Sequence, residues 1–143
     1  MNPAQKKAIQ YANTVNDAVQ NTQEVQEKMH PQFEVIKKAI DENTLKDMLS
    51  SKYLEIQGDF QQGTDEYKKI AKVMHEAKAP ARLMGTHHNL ANVYDEYAQS
   101  CQDMVDSMKD NRDVDIEAFT IAEKKQEEAT DKISKYITKI FQG

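Results

Sequence analysis

Six residues could converge on one piece of chemistry: Tyr11, His75, Glu76, His87, His88 and Tyr136. Imidazole nitrogens joined by a carboxylate oxygen form the donor set that divalent zinc and its neighbours prefer. His75 and one of His87 or His88 would supply nitrogen, and Glu76 oxygen. The competing reading makes His87 a core histidine hydrogen-bonded to Tyr136, with His75 and His88 wet at the surface. The spacing carries no ligand signature. There is no His-Glu-x-x-His, no paired Cys-x-x-Cys, and no Glu-x-x-His on two helices as di-iron bundles require. No metal and no cofactor are therefore assigned. A Gly-rich phosphate loop and a Gly-x-Ser-x-Gly elbow are missing too. No catalytic residue is proposed, and an enzyme is not expected.

Only an architecture that gathers four distant segments at one end could unite those six residues, and the hydrophobic pattern supplies one. Leu83, His87, Leu90, Tyr94, Tyr97, Cys101, Met104 and Met108 step alternately by four and three. So do Phe119, Ala122, Gln126, Ala129, Ile133, Tyr136 and Ile140. Such steps place each set on one narrow helical stripe. Folding the chain back at Asp110–Asp113 pairs Leu90 with Ile133, Tyr97 with Gln126 and Cys101 with Ala122, an antiparallel hairpin.

The first half repeats the design. Ala8, Ala12, Val15, Val19, Thr22, Gln26, Met29, Phe33, Ile36 and Ile40 form one stripe. Leu45, Leu49, Tyr53, Ile56, Phe60, Gly63, Tyr67, Ile70 and Met74 form the next, beyond a turn at Asp41–Thr44. In-phase apolar residues on both sides of Pro31 favour one helix kinked there over two abutting helices. Gly58, Gly63 and the cap-like Thr64-Asp65-Glu66 suggest a helix break near Gly63. Thr22, Gln26 and Gly63 leave the middle of this hairpin thin. Val25, Val35, Leu54, Val73, Val93, Val105, Ile137 and Phe141 widen the stripes enough for the hairpins to pack together. The expected fold is all-α: two antiparallel helical hairpins, 1–79 and 80–143, in one up-down-up-down four-helix bundle domain spanning 1–143.

Charge narrows the function. The chain carries 19 basic and 24 acidic residues, a formal −5. Nucleic acid and anionic membrane surfaces both call for a basic face, so neither is an expected partner. No apolar stretch of about 18 residues suggests membrane insertion, a signal peptide is not apparent, and a cytoplasmic location is the default. The single Cys101 cannot form an intramolecular disulfide and falls on a core stripe. The third helix is rich in acid, which makes Asp95, Glu96, Asp103 and Asp106 candidates for docking a basic partner. The favoured reading is a non-enzymatic protein-binding bundle, of adaptor, inhibitor, immunity or chaperone-like kind, acting as a monomer or homodimer on another protein. The alternative is a small-ligand or metal carrier using the histidine-containing pole or a cavity in the thin first hairpin.

Overall fold

The computed structural model describes residues 1–142. Four helices carry nearly all of the chain: α1 Pro3–Asp41, α2 Ser50–Glu76, α3 Met84–Met108 and α4 Ile116–Gln142. They pack against one another as a four-helix bundle. No described helix is long and apolar enough to cross a membrane.

Local chemistry sets the helix ends. Asn2 caps α1 in a reciprocal box: its side chain accepts from the Gln5 amide at 2.8 Å, and the Gln5 side chain accepts from the Asn2 amide at 3.0 Å. Pro3 sits in the first turn, where its missing N–H costs nothing. At the far end Asn43 adopts a positive φ of 56°, a conformation asparagine tolerates. The Thr44 and Asn43 amides then close back onto the carbonyls of Ala39 and Ile40. Asp115 starts α4 by accepting from the Ala118 amide at 3.0 Å.

α1 runs through Pro31 as one helix. The break expected near Gly63 is absent: α2 is continuous through Gly58 and Gly63. Thr64 does not cap a restart. It is buried, and its hydroxyl donates to the Phe60 carbonyl at 2.8 Å, one turn back in the same helix. Gly63 is small because α1 presses on it. A Cβ there would lie 3.1 Å from Met29 Sδ and 3.4 Å from Val25 Cγ1.

Every residue of the α3 stripe from Leu83 to Met108 is buried. α2 and α3 meet with rising numbers against falling ones. Tyr53 OH donates to the Met108 carbonyl, Lys68 donates to Gln102, and His75 donates to Asp95. The registers differ from those expected because the connections are longer. Residues 42–49 include a single 3-10 turn at Leu45–Asp47 and delay α2 to Ser50. Gly63 consequently lies against Met29 and Val25 rather than Thr22. The loop at 109–115 has the same effect on α4, so Gln126 reaches Ser100 and Met104 instead of Tyr97. Both loops meet at one pole, where Arg112 donates to the Lys46 and Met48 carbonyls and Lys46 donates to that of Asn111.

Of the stripe-widening residues, Val93 and Val105 are buried, whereas Val35, Leu54, Val73 and Phe141 are exposed. The core divides into two clusters. One gathers Tyr11, Val15, Ile70, Met74, Leu90, Tyr94 and Ile140, and the other Ile36, Tyr53, Ile56, Met104, Met108 and Phe119.

Candidate functional site

Of the six residues of the histidine pole, the structure brings Tyr11 and His87 into contact and gives His75, Glu76, His88 and Tyr136 separate neighbours. His87 is buried and has both ring nitrogens engaged. Nε2 donates to the Met74 carbonyl at 2.7 Å, and Nδ1 pairs with the Tyr11 hydroxyl at 2.8 Å. With the carbonyl holding the Nε2 proton, a neutral ring accepts from the phenol at Nδ1. The core partner is therefore Tyr11 of α1, standing edge-on 5.1 Å away, and not Tyr136. Tyr136 lies half-buried with Lys139 Nζ 5.8 Å from its ring. His75 is exposed and donates to Asp95 at 2.6 Å, His88 accepts from Asn92 at 3.2 Å, and Glu76 lies 3.9 Å from Lys72. Among the described residues, no three His, Cys, Asp or Glu side chains are placed to hold a metal ion.

The acidic candidates of α3 are similarly scattered. Asp95 holds His75, Glu96 lies 3.7 Å from Lys132, Asp103 accepts from Gln99, and Asp106 accepts from Gln102. Each is engaged within the molecule, toward α2, toward α4 or along α3 itself.

The feature with the shape of a binding site lies at the seam between the two core clusters. α1 and α4 meet where Phe33 stacks on Phe119, ring centroids 6.0 Å apart and planes within 8°, and where Lys37 pairs with Glu123 at 3.3 Å. Next to that contact they enclose an open cleft of about 420 Å³. Its α1 wall is Gln26, Met29, His30 and Phe33. Its floor is apolar and aromatic, with Phe60, Gly63 and Tyr67 from α2 and Tyr97, Cys101 and Met104 from α3. The α4 wall is polar throughout: Glu123, Gln126, Glu127, Thr130 and Asp131.

The gap has a sequence cause. Two stripes carry a polar residue that fills no core at this level: Gln26 on α1 and Gln126 on α4. Gln26 turns aside to donate to Tyr97 OH at 3.0 Å, and Tyr97 in turn packs edge-on against Tyr67 with centroids 4.8 Å apart. Burial pushes the Tyr97 phenol up to about 12, and the Tyr67 phenol well above its usual value. It pushes the Cys101 thiol up to about 12 as well, so the floor presents a neutral, unreactive sulfur at ordinary pH. On the polar wall, Glu123 Oε2 is buried without a hydrogen-bond partner. His30, on the rim, pairs with Glu34 at 3.3 Å.

The thin middle of the first hairpin pointed to this level of the bundle. The α4 wall and the α3 floor were not singled out. Gln126 on an otherwise apolar stripe was the signal available for them. A second depression, between α1 and α2, is lined by charges of both signs, Asp17, Glu24, Glu66 and Lys69.

No family model, no curated protein and no solved structure matches this chain.

Proposed function

We propose that the protein is a non-enzymatic binding bundle, and that its binding site is the cleft between α1 and α4. The observation that carries this reading is the interrupted core. A chain that fills α3 with buried side chains along its whole stripe leaves about 420 Å³ open beside Tyr97 and Cys101. Protein interiors are otherwise close-packed, and ligand sites are mostly apolar clefts of about 300–1,000 Å³ with a few polar groups for orientation. The mouth spans residues 26–33 of α1 and 123–131 of α4. That is about two helical turns, or roughly 11–12 Å. Such a length suits a compact ligand better than a helix lying along the groove, which needs anchors over at least as many turns. This is the carrier reading, moved from the histidine pole to the seam.

Methionine-methyl NMR tests it with indole as a neutral apolar probe. Met29 and Met104 line the cleft, whereas Met84 is exposed elsewhere on the surface. Saturable shifts at Met29 and Met104, with Met84 unmoved, are expected. Equal small shifts at all three, or none, would overturn the reading.

A protein partner is the second reading, favoured by the open side of the cleft, through which an anchoring side chain could enter. A partner seated there displaces indole. One docked on Asp95, Glu96, Asp103 and Asp106 leaves indole bound.

A further inference from the structure

The two faces of the cleft differ in chemistry, and the difference specifies a ligand. The floor offers aromatic and sulfur surface from Phe60, Tyr67, Tyr97 and Met104. The α4 wall offers Glu123, Glu127 and Asp131, spaced by four residues so that they follow one side of the helix. No lysine or arginine lines the cleft, and Lys37 is bound to Oε1 of Glu123. Glu123 Oε2 is closed off from solvent, so the carboxylates open to a ligand are chiefly those of Glu127 and Asp131. Carboxylates along a wall that carries no lysine or arginine complement a charged N–H. The aromatic floor is suited to the same ligand, since ring faces attract cations and apolar bodies alike.

We propose that the cleft takes a small organic cation, an ammonium group on a compact apolar or aromatic body. The body rests on the α2–α3 floor and the charge lies against the α4 carboxylates. This inference rests on the cleft being the binding site, and its test separates the two.

Isothermal titration of the full-length protein with 4-phenylbutylamine, 4-phenylbutan-1-ol and 4-phenylbutyrate varies the head group and keeps the body. The amine is expected to bind with one-to-one stoichiometry, about tenfold or more tighter than the alcohol, as a charge-assisted hydrogen bond implies. The carboxylate should bind weakest. Added salt should shrink the amine's advantage. Glu123→Gln, Glu127→Gln and Asp131→Asn combined should bring amine and alcohol to similar affinity, while Glu128→Gln, off the cleft, should leave the difference intact. Asp131→Asn alone, at an exposed position, should already narrow it if the triple variant folds poorly. Thr130→Trp at the exposed rim should weaken all three probes. Equal affinity for amine and alcohol in the wild type overturns the cation inference and leaves the cleft standing. If none of the three binds, the cleft reading falls and the cation inference with it. Binding insensitive to Thr130→Trp places the probe elsewhere and overturns both.

Discussion

His87 shows how much one side chain can hold in a bundle of this kind. Its ring ties α1 to α2 by bonding the Tyr11 hydroxyl and the Met74 carbonyl together. His87→Leu keeps the volume roughly constant and leaves both groups buried without a partner, so it should destabilise the fold by about 1–3 kcal/mol. Tyr11→Phe removes only the hydroxyl and should cost about 1 kcal/mol. In the double variant the two effects should fall short of additive, because the hydroxyl that His87→Leu orphans is no longer there. Urea unfolding of the four proteins measures this, and additivity would show that the hydrogen bond contributes nothing. The burial of His87 was legible from its place between Leu83 and Leu90 on one stripe. Its partner was not. Pairing helices as hairpins sets α3 against α4 and points to Tyr136, whereas the contact comes from α1, across the bundle. Thr22 and Gln26 of α1 reach α3 in the same way, to Tyr94 and Tyr97.

Helix stripes were legible in full on α3, and their slippage was not, because register depends on where helices stop. The turn expected at Asp41–Thr44 extends through Leu49, carrying Leu49 itself out to 73% exposure although it continues the apolar stripe. The glycines of α2 show a second limit. Glycine lowers helix stability wherever it sits, so Gly58 and Gly63 both read as weak points. The structure separates them. Gly58 has open space where a Cβ would go, and Gly63 has Met29 at 3.1 Å. Gly58→Ala should therefore stabilise by about 1 kcal/mol, the ordinary helix gain. Gly63→Ala should gain distinctly less, or destabilise, because the α1–α2 contact must yield by a few tenths of an ångström. Equal gains in thermal or urea unfolding would mean that the contact is loose. Pro31 gives the matching case on α1. It is exposed and inside a continuous helix, where it removes the bond to the Glu27 carbonyl. Pro31→Ala should stabilise by up to about 3 kcal/mol. No gain would show that the helix already accommodates the proline without strain.

The bundle as a whole draws its core from tyrosine to a degree that decides how it responds to alkali. Of its six tyrosines, Tyr11, Tyr53, Tyr67, Tyr94 and Tyr97 are buried, spread over α1, α2 and α3. Burial raises all five phenols, those of Tyr11, Tyr53 and Tyr97 to about 12. The nearby charges of Asp113 and Asp110 add to the effect at Tyr53. The Cys101 thiol moves the same way, to about 12. In the unfolded chain these groups ionise near their ordinary values of 9.0 for the thiol and 10.0 for the phenols. Between those values and the raised ones the unfolded chain binds fewer protons than the folded protein, so stability falls as pH rises. The contribution is fully present below about pH 9 and is lost progressively through the window from 9 to 12. A titration followed at once by phenolate absorbance and by far-ultraviolet circular dichroism tests this. Phenolate should lag behind a free-tyrosine curve and then appear together with the loss of helix, in one cooperative step above pH 10. Ionisation of all the phenols near pH 10 with the helices intact would mean that the tyrosine core is open to water.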